Sequence, residues 1–162
     1  VWNPEEIIGC VVQNELDSLP ECMRECAKAA YDAIVKLESG RLADTDKIYN
    51  HIAENPLLKG VTFSGGEPFC QPAPLYDLAK RIKENTKLDI MAYTGFTFEQ
   101  LVEKSKTDED VKNLLSVVDI LVDGKFILAQ RSLELHFKGS RNQRIIDCKK
   151  SLETGSVVIK EL

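Results

Sequence analysis

The sequence predicts an α/β domain built on a parallel sheet, and three observations carry that reading. Short apolar runs at Val61 to Phe63, Leu88 to Tyr93 and Asp119 to Val122 alternate with segments of helical periodicity. Each run closes on glycine: Gly65 after the first, Thr94-Gly95 after the second, Asp123-Gly124 after the third. At 162 residues the chain can bury one substantial core but not two. Strands joined through helices pair in parallel, and such sheets bind their ligands outside the carboxyl ends of the strands.

The elements follow in order. Between Asp17 and Gly40, Ser18 and Glu21 form a capping box with Pro20 just inside it, and Gly40 stands where a C-terminal glycine belongs. Leu19, Cys22, Met23, Cys26, Ala30, Ala33, Ile34 and Leu37 recur at three and four, so this helix has one apolar face. A second helix is expected from Asp44 or Thr45 to a point before Pro56, since the residue preceding a proline leaves the helical region. Leu75 to Glu84, Phe98 to Lys104 and Asp110 to Val117 read as helices between and after the strands. Beyond Phe126 the expectations are an extended edge at Leu133 to Phe137, a polar loop at Gly139 to Gln143, and short strands at Arg144 to Cys148 and Val157 to Ile159. There is no internal repeat and no low-complexity tract.

The chain carries 21 basic and 26 acidic residues, a formal charge of -5, with no Lys/Arg-rich block, which argues against nucleic acid as a direct ligand. No apolar run approaches the roughly 18 residues of a membrane span, and no signal-peptide layout opens the chain, so no membrane partner is expected and the location is read as cytoplasmic. Cys10, Cys22, Cys26, Cys70 and Cys148 are odd in number and scattered, which reads as thiols in a reducing compartment. Val1 in place of an initiating Met is read as the mark of a fragment or processed form.

Chemistry concentrates in "GVTFSGGEPFCQP", Gly60 to Pro72. Gly65 and Gly66 strip two side chains from the point where a strand becomes a loop, so backbone amides and carbonyls can touch a ligand directly. Glu67 adds a carboxylate for a cationic or hydrogen-donating group, and Pro68 stiffens the turn. Local chemistry alone leaves an ordinary tight turn equally open. No Gly-x-x-x-x-Gly-Lys phosphate loop is present.

"GVTFSGGEPFCQPAPLYDLAKRIK", "YTGFTFEQL", "VVDILVDGKF" and "FKGSRNQRIID", in that order and spacing, resemble the activating proteins of anaerobic ribonucleotide reductases, members of the radical S-adenosylmethionine superfamily. The likeness covers residues 43–152. It implies a partial parallel (βα) barrel or an open parallel sheet of the radical SAM type, with 1–162 a single domain, 1–42 an atypical N-terminal helical segment and 43–152 the family-like core. It also implies a glycyl-radical activating oxidoreductase using S-adenosyl-L-methionine and a 4Fe-4S cluster. The implied partners are the reductase large subunit and an electron donor such as flavodoxin. In that family the Gly-Gly-Glu-Pro segment contacts the amino group of the methionine moiety, which carries over to Gly65, Gly66, Glu67 and Pro68. Ser64 and Thr94 sit at comparable strand ends and could meet the same ligand, while Asp123 and Lys125 stand at the third, in the site or in its support.

The family's Cys-x3-Cys-x2-Cys cluster motif is not in this chain. The nearest match, Cys22-Met-Arg-Glu-Cys26, has Ala29 where the third cysteine would stand, and both thiols lie on the apolar helical face. A glycine-rich entry and first strand ahead of residue 43 are also missing. Two explanations remain: a fragment or altered form of an activating protein, or a relative that kept the fold and lost the metal, acting as a binding or regulatory module. "VWNP" at the start resembles the residues after the third cluster cysteine in such proteins, which points to the first. Among other residues, His51 and His136 lack metal-site companions, Cys70 reads as a packed thiol, and Trp2 as a packing anchor. The charges between Glu99 and Asp110 read as a solvated face. Arg141, Asn142, Gln143 and Arg144 form a donor-rich cluster, either a solvated loop or a contact for the cofactor carboxylate or the partner protein.

Overall fold

The structure, a computed structural model, describes residues 44–161. The helix predicted between Asp17 and Gly40, together with Trp2, Cys10, Cys22 and Cys26, lies outside the described residues. From Thr45 onward the elements run α1 (Thr45–Ala53), β1 (Gly60–Phe63), a 3-10 turn (Pro68–Cys70), α2 (Pro72–Asn85), β2 (Asp89–Tyr93), α3 (Phe98–Lys104) and α4 (Glu109–Val117). Then come β3 (Ile120–Asp123), a second 3-10 turn (Leu128–Gln130), β4 (Arg144–Asp147) and α5 (Cys148–Thr154). The four strands form one open sheet in the order β1-β2-β3-β4. The first three are parallel, and β4 joins antiparallel to β3.

The α/β class and the open sheet are therefore observed, with the correction that the last strand reverses. Register explains the core. Phe63, Ala92, Leu121 and Ile146 are partners across all four strands and fill one buried row. That row packs in a single cluster with Leu78, Ala79 and Ile82 of α2, Leu101 of α3, and Val111, Leu114 and Leu115 of α4. Each Val, Leu, Ile or Phe among them contributes roughly 1.5–3 kcal/mol on burial, and the two alanines less. Because side chains alternate along a strand, Thr62, Met91, Ile120 and Tyr93, Val122, Ile145 occupy the other face.

Helix ends follow local chemistry. Pro72 opens α2 at a position where its missing amide costs nothing. Thr97 and Gln100 form a reciprocal capping box on α3, and Asp108 and Asp147 cap α4 and α5 through backbone amides. Gly155, in the left-handed region at φ 69°, stops α5.

Three expectations need correction. Leu133 to Phe137 is not an extended edge but a series of turns and bends inside the connection from β3 to β4, where none of the described strands pairs with it. The strand expected to reach Cys148 ends at Asp147, whose carboxylate accepts from the Lys150 amide and starts α5 instead. Val157 to Ile159 makes a bridge rather than a strand: Ile159 faces Ile146, while the Asp147 amide donates to the Val158 carbonyl and the Lys160 amide to the Ile145 carbonyl.

At the amino edge of the sheet Asp119 acts as a clasp. Its carboxylate accepts from the Ile90 amide at 2.7 Å and from Lys83 Nζ at 2.8 and 3.0 Å, joining α2, β2 and β3. The carboxyl edge is thereby left as the end where open loops gather.

Candidate functional site at the carboxyl edge of the sheet

Three loops leave the carboxyl ends of β1, β2 and β3. Ser64, Gly65 and Gly66 follow β1 and are exposed, and Gly65 takes φ 108°, a conformation that L side chains rarely adopt. A Cβ built on Gly65 would meet nothing within 4 Å, so its main chain borders open space. A ligand can therefore reach these amides and carbonyls directly. Pro68, buried, holds the first position of the 3-10 turn that leads away.

Glu67 is turned the other way. It is 6 % exposed, and its Oε1 accepts from the Phe69 amide at 3.1 Å and from Thr94 Oγ1 at 2.9 Å. Its Oε2 accepts from the Gly95 amide at 2.8 Å. One side chain thus ties the β1 loop to the β2 loop. Burial pushes the Glu67 carboxyl above its ordinary range, while the bonds from Gly95, Phe69 and Thr94 and the charge of Lys104 pull it down less strongly. Thr94 passes the order on: its Oγ1 also accepts from the Phe96 amide at 3.1 Å.

The β3 loop is fixed by a second carboxylate. Asp123, 1 % exposed, accepts from the Phe98 amide at 2.8 Å and pairs with Arg144 of β4, whose Nε donates to Asp123 Oδ1 at 3.0 Å. The same guanidinium makes a two-pronged contact with Glu99 at 3.0 and 2.8 Å. Arg144 holds the Glu99 carboxyl down to about 2, and its own pKa is raised, chiefly by Asp123 and then by Glu99. Gln143 donates to the Gly124 carbonyl at 3.0 Å, and Asn142 to the Lys125 carbonyl at 2.8 Å.

The residues can be tested against the two groups that the resemblance implies. A 4Fe-4S cluster takes thiolate ligands. Among the described residues no three His, Cys, Asp or Glu side chains converge as a metal site. Cys148 is buried and donates to the Leu115 carbonyl at 3.4 Å, and Cys70 is half-buried. The described residues do not fit a cluster, and Cys10, Cys22 and Cys26 lie outside them. The main chain at Gly65 and Gly66 is exposed and so is open to the polar end of a small ligand.

A family model for a 4Fe-4S single cluster domain matches residues 18–146. The anaerobic ribonucleoside-triphosphate reductase-activating protein of Vibrio cholerae is 33 % identical over 132 residues, 76 % of this chain and 81 % of the relative. The chain belongs to the family of these reductase-activating proteins. The Haemophilus influenzae protein of the same name is 34 % identical over 90 residues, 54 % of each chain, and that of Escherichia coli K12 is 26 % identical over 130 residues, 75 % of this chain and 80 % of the relative. No solved structure gives a significant match.

In this activating-protein family member, the predicted site residues separate into two sets. Ser64, Gly65 and Gly66 present open main chain, whereas Glu67, Pro68 and Thr94 are buried and build the wall behind them. Asp123 is buried with its carboxylate taken up by the Phe98 amide and Arg144, and Lys125 is exposed at the third loop with its Cγ 3.9 Å from where a Gly95 Cβ would stand. Gln143 and Arg144 spend their donors within the fold, and Arg141 is exposed. The sequence reading missed Gly95 as the amide that Glu67 binds. The only signal for it was the glycine in Tyr93-Thr94-Gly95.

Proposed function

We propose that this chain activates the large subunit of an anaerobic ribonucleoside-triphosphate reductase by installing a glycyl radical on it. What supports the reading is the 33 % identity to a relative of that name over 81 % of its length, joined to a strand-end Gly-Gly loop with exposed main chain. S-adenosyl-L-methionine, if bound and given one electron by a flavodoxin-like donor, would supply methionine and a 5'-deoxyadenosyl radical able to take hydrogen from a glycine. In this reading the main chain of Ser64, Gly65 and Gly66 would hold the ligand's amino group, and Pro68 and the Glu67–Thr94 contact keep the loop in place. Glu67 acts through the backbone rather than by touching the amine. The fold is then an open, incomplete version of the radical SAM sheet, in a cytoplasmic protein served by a flavodoxin-like electron donor.

A second reading has one observation in its favour: Ala29 stands where the cluster motif needs its third cysteine. The chain would then be a cluster-less module that keeps the cofactor pocket or the reductase-docking surface. Anaerobic reconstitution with iron and sulfide separates the two. The first reading expects brown protein, reductant-dependent 5'-deoxyadenosine and a glycyl-radical electron paramagnetic resonance signal on added reductase. Colourless protein that still binds S-adenosyl-L-methionine in calorimetry supports the second. No heat with that compound, or the same heat from Gly66→Val as from wild type, overturns the assignment of the cofactor to this loop in both.

A further inference from the structure

The connection from β3 to β4, residues 124–143, exposes a concentration of large apolar side chains unlike any other among the described residues. Phe126 is 53 % exposed, Leu128 72 %, Leu133 88 % and Phe137 54 %. Single exposed apolar residues are ordinary, but several gathered on one segment mark an interaction surface. The segment is also built rather than loose. Arg131 and Ser140 form a bridge, the Arg141 amide donates to the Gln130 carbonyl at 3.0 Å, and the Ile127 amide donates to Ser140 Oγ at 3.1 Å. Gln143 Oε1 gathers the Gly139 and Ser140 amides. The Phe126 ring lies so close over Gly139 that a Cβ there would come within 3.0 Å of it. A backbone tied down at these points needs less ordering when a partner docks, which lowers that part of the entropy cost.

Charge and position say what docks. Residues 124–143 hold Lys125, Arg131, Lys138 and Arg141 against Glu134 alone, a local +3 in a chain of -5, which leaves -8 on the remainder. Because β4 returns antiparallel, the segment leaves and re-enters the sheet at the carboxyl edge, the same edge as the Gly-Gly loop, with β2 between them. Tyr93 at the end of β2 donates its hydroxyl to the Phe137 carbonyl at 2.8 Å, joining this segment to the strand that carries Thr94. A carbon radical made at that edge cannot diffuse to a distant target, so the hydrogen donor must be brought to the rim.

Resting on the function proposed above, we infer that the basic, apolar segment Lys125 to Arg141 is the docking surface for the protein whose glycine is activated, and that its counterpart is an apolar patch with an acidic rim. The apolar side chains supply affinity, and the basic ones steer the encounter.

The test uses the full chain and the cognate reductase large subunit, immobilised for anaerobic biolayer interferometry at two salt concentrations. The Leu128→Asp/Leu133→Asp double variant is expected to weaken binding by about 30-fold or more. Arg131→Glu should weaken it by several-fold, with a smaller salt dependence. Leu57→Asp, 87 % exposed at the amino edge, should bind as wild type does. Calorimetric titration with S-adenosyl-L-methionine should give the same affinity for all variants. Wild-type binding that the segment variants leave unchanged overturns the docking surface and spares the activating function. Failure of the wild type to bind the reductase overturns the function and the inference with it. A concentration-dependent dimer in sedimentation that Leu133→Asp abolishes, with reductase binding intact, assigns the surface to a second copy and also overturns the inference. If the double variant fails to fold, Arg131→Glu alone decides.

Discussion

Replacing Glu67 with alanine removes one carboxylate that holds donors from two loops: the Phe69 amide, the Thr94 hydroxyl and the Gly95 amide. The hydroxyl can turn to another acceptor, but the two amides are fixed by the backbone. An unsatisfied buried donor costs roughly 1–3 kcal/mol. Water entering beside the exposed Ser64 to Gly66 meets part of that demand, which puts the expected loss at about 2–3 kcal/mol. Glu67→Gln keeps one oxygen acceptor but turns an NH2 toward a donor. The wild-type carboxylate is itself held at a desolvation cost that the neutral amide avoids. The glutamine variant should therefore lose only about 1 kcal/mol. The pH profile gives an independent check. The folded-state pKa of Glu67 lies above its ordinary value of 4.5, so the folded protein holds this proton more tightly than the unfolded chain. The associated stability is fully present below pH 4.5 and is lost as pH rises through the raised value, a falling limb that both variants should lack. Thermal melts followed by far-UV circular dichroism between about pH 4 and pH 7.5 measure both effects. At about 3–5 °C per kcal/mol for a unit of this size, the alanine variant should melt about 6–15 °C below wild type at neutral pH. An alanine variant that melts with wild type and keeps its pH profile would refute the account of Glu67 as the tie between the β1 and β2 loops.

Arg144→Met strands the buried Asp123 carboxylate with the Phe98 amide alone and should cost about 3–5 kcal/mol in urea unfolding. Glu99→Gln, at a side chain 59 % exposed, should cost under about 1 kcal/mol near neutral pH. Because Arg144 lowers the Glu99 pKa to about 2, its stabilisation is present above pH 4.5 and lost as pH falls through about 2, so the glutamine variant should show a flatter acid limb in urea midpoints measured from about pH 5 to pH 2. Burial, and then the charges of Asp119 and Asp147, push the Cys148 thiol up to about 12. Iodoacetamide at about pH 8 should leave Cys148 unmodified in native protein and label it only after denaturation, as read by peptide mass spectrometry. Labelling at the native rate of an exposed thiol would contradict its place in the core.

The alternating strands and helices between Thr45 and Asp123 were legible because burial imposes a period and helix ends demand particular residues. Thr97 with Gln100 and Asp108 before α4 carry their instructions within a few positions. The interior of the connection from β3 to β4, unlike the strand at Arg144 that closes it, was not legible for the opposite reason. Its conformation depends on partners far along the chain, such as Tyr93 for Phe137 and Gly124 for Gln143. Asp147 and Gly155 did mark both ends of α5, but the β-branched run leading into Cys148 masked them. At the site, Gly65 and Gly66 were readable as bare backbone. The inward turn of Glu67 was not, since the Gly95 amide that attracts it sits 28 residues away. Arg144 read as the last of a donor-rich cluster and the start of a short strand, and only the register of β4 against β3 places it opposite Asp123.

The reversal of β4 has a consequence for how this protein can vary. Residues 124–143 are rooted on two neighbouring strands, whose backbones in any sheet stand about 4.8 Å apart. A hairpin-like insertion with such closely spaced roots can be lengthened, shortened or exchanged without disturbing the parallel strands. Halving its length would alter the closure entropy by only about 0.6 kcal/mol. The docking surface inferred above could thus be rewritten in one replaceable module while the Gly65-Gly66 loop at the same edge stays as it is.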